Sequence, residues 1–186
     1  MRQLKLFMAI LGCRPAGRHT EQHDIFFGIA TEMKELIPAM YEYWPEANKK
    51  IHVDAWREVK HVDGFDIKIV SSGEIKAPEN TKLFFINLGG YKSGEFEEYH
   101  YKMLVAAPNK GEAIMASKKT AFFKHNGFKG AQSHVDDKYG VDVDDLYELP
   151  DILPEETKTN YGIQLVKAAI AKEDELNIGY FPLSKL

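Results

Sequence analysis

Four histidines in this chain each stand two residues from a carboxylate, in two patterns that both recur. Glu21-x-His23 returns as Glu98-x-His100, and His52-Val53-Asp54 returns as His134-Val135-Asp136. Residues two apart on a strand share a face, so each pattern sets an imidazole beside a carboxylate. Such a pair suits a divalent metal or acid–base chemistry, because histidine changes charge near neutral pH and is the commonest side-chain metal ligand. Glu21, His23, His52, Asp54, Glu98, His100, His134 and Asp136 are therefore the candidate catalytic or metal-binding residues. A structural reading stands beside this one: half-buried imidazoles and carboxylates hydrogen-bond to loop amides or to each other across a packed face. Isolated pairs are less specific than a complete spaced ligand set, so the sequence assigns no metal and no cofactor.

Other groups are weaker candidates. Gly12 and Gly17 with Arg14 and Arg18 resemble an anion loop but lack the Gly-Lys-Ser/Thr ending of a P-loop, so a turn is expected. The acidic run Asp142 to Glu148 lacks the glycine and the ligand spacing of a calcium loop and reads as a solvated insertion. The lone Cys13 excludes an intrachain disulfide, and its counterpart in the repeat described below is Gly90, so it is expected as a small buried residue. Trp44 and Trp56 read as core or interface anchors.

The positioning elements are read from a repeat. Leu6-Phe7, Leu11-Gly12, Gly17, Glu21, His23 and Ala30 recur as Leu83-Phe84, Leu88-Gly89, Gly94, Glu98, His100 and Ala107, all at an offset of 77 (100 − 23). Phe65 to Val70 returns as Tyr161 to Val166. Leu4 to Leu11 and Lys82 to Leu88 are apolar on both faces, as in a central strand. A second strand follows in each copy, Gln22 to Ala30 and Tyr99 to Ala107. Then comes a helix: Thr31 caps the first, which Pro38 makes irregular, and Asn109 with Glu112 caps the second, which stops at Asn126-Gly127. Strands at Ile51 to Val59 or Ser133 to Lys138, and at Phe65 to Val70 or Tyr161 to Val166, complete each unit.

The pattern predicts an α+β chain, a tandem repeat of two β-grasp-like ββαββ units, each a four-stranded mixed sheet with one helix and its first and last strands parallel in the middle. Residues 1–70 form the first repeat, 71–81 the linker, and 82–186 the second repeat with the acidic insertion and a C-terminal tail. That order puts the second and third strands on opposite edges, about 14 Å apart. The two His/carboxylate pairs of one copy would then be too distant to share an ion. Only a meeting between copies or between chains would join them.

Gly12 with Gly17, Glu21-Gln22-His23-Asp24, Phe27-Gly28, Trp44-Pro45-Glu46, His52-Val53-Asp54-Ala55-Trp56, Val62-Asp63-Gly64 and Ile178-Gly179-Tyr180 together resemble the bacterial family Domain of Unknown Function 1543, in two copies. The resemblance covers nearly the whole chain and implies no reaction, substrate or cofactor.

Composition narrows the partners. The 186 residues carry 24 Lys plus Arg and 28 Asp plus Glu, a net charge of −4 with no basic stripe, so nucleic acid is not expected. No stretch approaches a membrane span. Ile10-Leu11-Gly12-Cys13 looks like a lipoprotein cleavage box, but its apolar run is short and recurs internally at Leu83 to Gly90, so a strand and a cytoplasmic location are expected. The functional expectation is a non-enzymatic binding or assembly module that uses its sheet edges, through self-association as a homodimer or with a protein partner. The alternative is a small metal-assisted or acid–base enzyme with its site where the repeats or two chains meet. Along the strand from Glu21 to Ala30 the residues in phase with His23 are Ile25, Phe27 and Ile29, greasier than Lys102, Leu104 and Ala106, so Phe27 is expected to be covered and Leu104 wetter.

Overall fold

A computed structural model describes residues 3–74, 80–91, 94–126 and 142–186. They fall into two units, Met1–Ala77 with Leu153–Leu186, and Pro78–Ile152. A sequence repeat and a compact unit need not coincide, and here the C-terminal strands lie with the first unit. The class is α+β, with antiparallel sheets and few helices.

The first unit begins with β1 (Lys5–Cys13) and β2 (Gln22–Ala30), paired antiparallel. The segment between them turns where the Arg18 N–H donates to the Pro15 carbonyl at 3.2 Å and Gly17 takes a φ of 79°. Arg14 and Arg18 thus flank a turn. Beyond β2 the Glu35 carboxylate accepts from the Thr31 N–H at 2.9 Å and from the Glu32 N–H at 3.3 Å. Glu32 takes the cap position expected of Thr31, whose hydroxyl donates to Glu35 instead. A 3-10 turn, Met33–Leu36, leads into α1 (Ile37–Tyr43). Pro38 sits in the first turn of α1, where its missing N–H has no intrahelical partner to lose. The irregularity expected at Pro38 is this change of helix type.

Then come β3 (His52–Glu58), β4 (His61–Val62) and β5 (Phe65–Ser71). The second unit holds β6 (Lys82–Tyr91), β7 (Glu98–Ala107), α2 (Lys110–Asn126) and β8 (Asp142–Glu148). Asn109 caps α2 as expected, its Oδ1 accepting from the Glu112 N–H at 3.0 Å. The chain returns to the first unit with α3 (Glu155–Asn160), β9 (Tyr161–Lys167) and β10 (Asn177–Pro182).

The β-grasp order does not appear. The first sheet runs β10-β3-β1-β2 and the second unit's sheet runs β7-β6-β8, and every described pair is antiparallel. In each unit the first strand is apolar on both faces and takes the centre, and the helical connection returns the chain antiparallel on its other side. The fourth strand, expected in the middle of the sheet, lies elsewhere. β5 pairs with β9 in a separate three-stranded ribbon, β4-β5-β9, with Lys68 opposite Gln164. The two repeated segments therefore satisfy each other's backbone groups.

A second correction concerns the acidic run. Asp142 to Glu148 is not a loop but the strand β8, hydrogen-bonded to β6. Its apolar residues Val143 and Leu146, both packed on the core, stand three apart, which defeats a period-of-two reading. The cause is a bulge: Leu88 pairs with Val143 but Asn87 with Asp145, leaving Asp144 as the extra residue. β3 has the same device, since Leu11 pairs with Val53 and Ile10 with Ala55, leaving Asp54 extra. The strand expected at Ser133 to Lys138 lies outside the described residues.

One face of each sheet packs on its helix. In the first unit Phe7, Ala9, Leu11, Cys13, Phe26 and Val53 join Met33, Leu36 and Met40, with Trp44 and Trp56 packed against them. In the second unit Phe84, Ile86, Leu88 and Val105 join Ala113 of α2. The opposite face is also apolar and buried, with Leu6, Met8, Phe27, Leu83, Phe85 and Leu104. Phe27 is 3% exposed and Leu104 6%, so the wetter surface expected at Leu104 is absent. Among the described residues no helix is long and apolar enough to cross a membrane.

Candidate metal centre

β1 lies between β2 and β3, so the strands that carry the two His/carboxylate pairs are two spacings apart rather than three, about 10 Å. Gly12 bridges that gap. It pairs with His23 on one side and with His52 on the other. Side chains alternate along β1, so those of Leu11 and Cys13 enter the helix-side core while position 12 faces the other way. Having no side chain, Gly12 leaves a trough into which both neighbours lean. A Cβ there would stand 2.4 Å from His52 Nε2 and 2.5 Å from Asp54 Oδ2, closer than atoms can pack.

The trough gathers four groups. His52 Nε2 is 3.1 Å from Glu21 Oε1 and 3.3 Å from Asp54 Oδ1. His23 Nε2 is 3.2 Å from Asp54 Oδ2 and 3.9 Å from Glu21 Oε2. The bulge aims Asp54 into this group, as bulges near functional sites often do. His52 is buried, and its ring packs against Tyr180 of β10 at 4.4 Å between centroids. Glu21 and His23 are about half exposed. Asp54 Oδ2 is buried with no hydrogen-bond partner, although His23 Nε2 is near. The imidazole and carboxylate are thus close without the alignment of a hydrogen bond. Beneath the trough, burial first and the Glu21 carboxylate second push the Cys13 thiol above its ordinary pKa.

The expected separation of the two pairs is therefore overturned: Glu21, His23, His52 and Asp54 come together within one unit. The second unit repeats the arrangement with a partner that the sequence analysis missed. Glu98 and His100 meet Asp144; His134 and Asp136 lie outside the described residues. His100 Nε2 is 3.4 Å from Asp144 Oδ2 and 3.9 Å from Glu98 Oε2. Gly89 supplies the trough, pairing with His100 and with Asp142. The motif Asp142-Val143-Asp144 thus takes the place of His52-Val53-Asp54 at an offset of 90 (142 − 52). The shared x-Val-Asp motif was the available signal, but the more literal match at residues 134–136 hid it. One further pair, His61 Nδ1 with Asp66 Oδ1 at 2.8 Å, joins directly opposed residues of the β4–β5 hairpin and gathers no third ligand among the described residues.

The matched region holds all four groups of the first trough. Residues 18–69 match the family described as Domain of Unknown Function (DUF1543). The DUF1543 match runs from just before β2 to β5 and leaves out β1 with Gly12. The crystal structure of protein Il1583 from Idiomarina loihiensis is similar to the whole chain, with a TM-score of 0.64 at 22% identity over 97% of this chain and 98% of that one. At that identity the likeness is one of fold. No curated protein matches the chain.

Proposed function

We propose that the first unit binds a divalent cation of the zinc class through Glu21, His23, His52 and Asp54. One observation carries the reading: two imidazoles and two carboxylates, delivered by strands on either side of β1, converge over a residue with no side chain. Four ligands held tetrahedrally at about 2.0–2.2 Å from zinc lie roughly 3.3–3.6 Å apart. The nitrogen–oxygen separations of 3.1, 3.2, 3.3 and 3.9 Å, taken over both oxygens of each carboxylate, lie near that edge, and Asp54 Oδ2 is buried without a hydrogen bond. Four protein ligands fill a tetrahedral zinc, so a water or substrate atom reaches the ion only where one of the half-exposed groups, Glu21 or His23, leaves it.

The test is metal analysis of untagged protein, followed by titration of the metal-free protein with zinc. One equivalent bound by the wild type and lost in His23→Ala and His52→Ala supports the site. Absence of zinc binding, with a large loss of stability in His52→Ala, would assign the four groups to mutual structural pairing.

A second reading, docking through a sheet edge, has its own support. Leu176, Ile178 and Tyr180 are 61%, 75% and 69% exposed on and just before β10, a terminal strand of its sheet. Edge strands with apolar side chains recruit partner strands, here a second copy of the chain or another protein. Light scattering on wild type and Ile178→Lys tests it: an assembly that dissociates in the variant supports docking of a second copy, and a monomer in both removes the second copy as the partner.

A further inference from the structure

We infer that Glu98, His100 and Asp144 form a second cation site, in the other unit, that favours a hard divalent cation such as manganese over zinc. Their ligand atoms all lie within 4.8 Å of one another. The trough is built as in the first unit: a Cβ at Gly89 would stand 2.4 Å from Asp144 Oδ2 and 2.7 Å from its Oδ1. The bulge that aims Asp144 falls at the same register as the bulge at Asp54. Two carboxylates held this close repel one another, and a divalent cation between them would relieve that repulsion.

Ligand chemistry separates the two sites. The strand position held by His52 in the first unit is held by Asp142 in the second, so one imidazole faces carboxylates where the first site has two. Imidazole suits zinc, whereas carboxylate oxygens suit magnesium, calcium and manganese. The three side chains are also roughly a third to two-fifths exposed, which lets a cation with several waters sit over Gly89. The inference repeats the backbone device and three of the four ligand types of the first site, but it does not depend on zinc binding there.

The experiment titrates metal-free, untagged, full-length protein with Mn²⁺, followed by the electron paramagnetic resonance of the free ion, and in parallel with Zn²⁺ by calorimetry. Wild type should bind one equivalent of Mn²⁺, and Asp144→Asn and His100→Gln should bind it at least about tenfold more weakly. Asp144→Asn keeps the side-chain shape, so it carries the test should His100→Gln fail to fold by circular dichroism. Mn²⁺ binding unchanged in Asp144→Asn would overturn the inference. Zinc bound at the first unit with no Mn²⁺ bound would overturn it too and leave the first reading standing. Mn²⁺ bound without zinc would remove the first reading alone, and neither ion bound would remove both.

Discussion

The strands around Gly12 and those around Gly89 have one backbone and two chemistries. Both centres have a glycine on the middle strand, a neighbour two residues past a glutamate on one side, and a bulged aspartate on the other. The first adds His52, buried and packed on Tyr180, where the second has Asp142 in register. The trough is therefore set by the backbone, through a missing Cβ and an extra residue, while the ligand type is left to side chains at its rim. A bulge and a glycine cannot be exchanged without moving the strand. A histidine and an aspartate can, so one scaffold accommodates ions of different hardness.

The units differ most in their cores, and the largest expected effect lies there. Phe26, opposite Ala9, is buried and meets Tyr43 edge-on with 5.5 Å between ring centroids. Its register counterpart Met103, opposite Ile86, is only half-buried. Phe26→Ala should cost about 3–5 kcal/mol in urea unfolding, and Met103→Ala less than about 2. Equal losses would show that the two cores are equivalent.

A buried charge pair gives the next contrast. Arg57 lies opposite Met8 and reaches Asp174, with 3.6 Å between Nη1 and Oδ2. The Asp174 side chain is buried, and its Oδ1 accepts from the N–H groups of Lys60 and His61 at 3.0 Å each. It thereby fixes the C-terminal segment to the corner before β4. Burial lowers the Arg57 pKa, with Asp174 acting against that shift. The equivalent position on β8 is the exposed Tyr147. Arg57→Ala, which strands Asp174, should cost about 3 kcal/mol, whereas Tyr147→Ala should stay within about 0.5.

The troughs themselves rank third. Gly12→Ala drives a methyl group into the buried His52 ring and should cost about 1–3 kcal/mol, with loss of zinc binding. In Gly89→Ala the obstructing atoms belong to Asp144, whose side chain is 32% exposed and free to swing outward. Its stability loss should be under about 1 kcal/mol, although Mn²⁺ binding should still fall. Thermal melts of the two variants side by side compare them.

These elements were legible in the sequence to different degrees, for physical reasons. The first two strands and the helix of each unit follow from apolar runs, turn glycines and caps, which are local signals. Strand order is not local: nothing in residues 65–70 says that they pair with 162–167 rather than with β1. That error displaced the candidate site, because a β-grasp order separates Glu21 and His23 from His52 and Asp54, whereas the observed order sets them about the glycine. Gly12 was read as turn punctuation, since a missing side chain shows its purpose only when both neighbouring strands are known. The bulge hid β8 by breaking its alternation at Asp144.

The smallest expected effect concerns Cys13, whose counterpart in the second unit is Gly90. Cys13 is 1% exposed, and burial together with the Glu21 carboxylate raises its pKa. The sign of the linkage follows: as pH rises, the unfolded chain loses its thiol proton first, at about 8.5. The contribution to stability is whole below that pH and is lost as pH rises through the higher folded value. The first unit should therefore begin to lose a little stability above about pH 8.5, and Cys13→Ala should abolish that part of the loss. Glu21→Gln removes the second cause and should narrow the pH window without closing it, because burial remains. Since the thiolate is the reactive form, iodoacetamide at pH 8.5 should label native protein far more slowly than protein unfolded in urea. Rapid labelling of the native chain would show that Cys13 is reached from solvent, and that the floor beneath the first trough opens in a way the packed core of Phe7, Leu11 and Val53 does not allow.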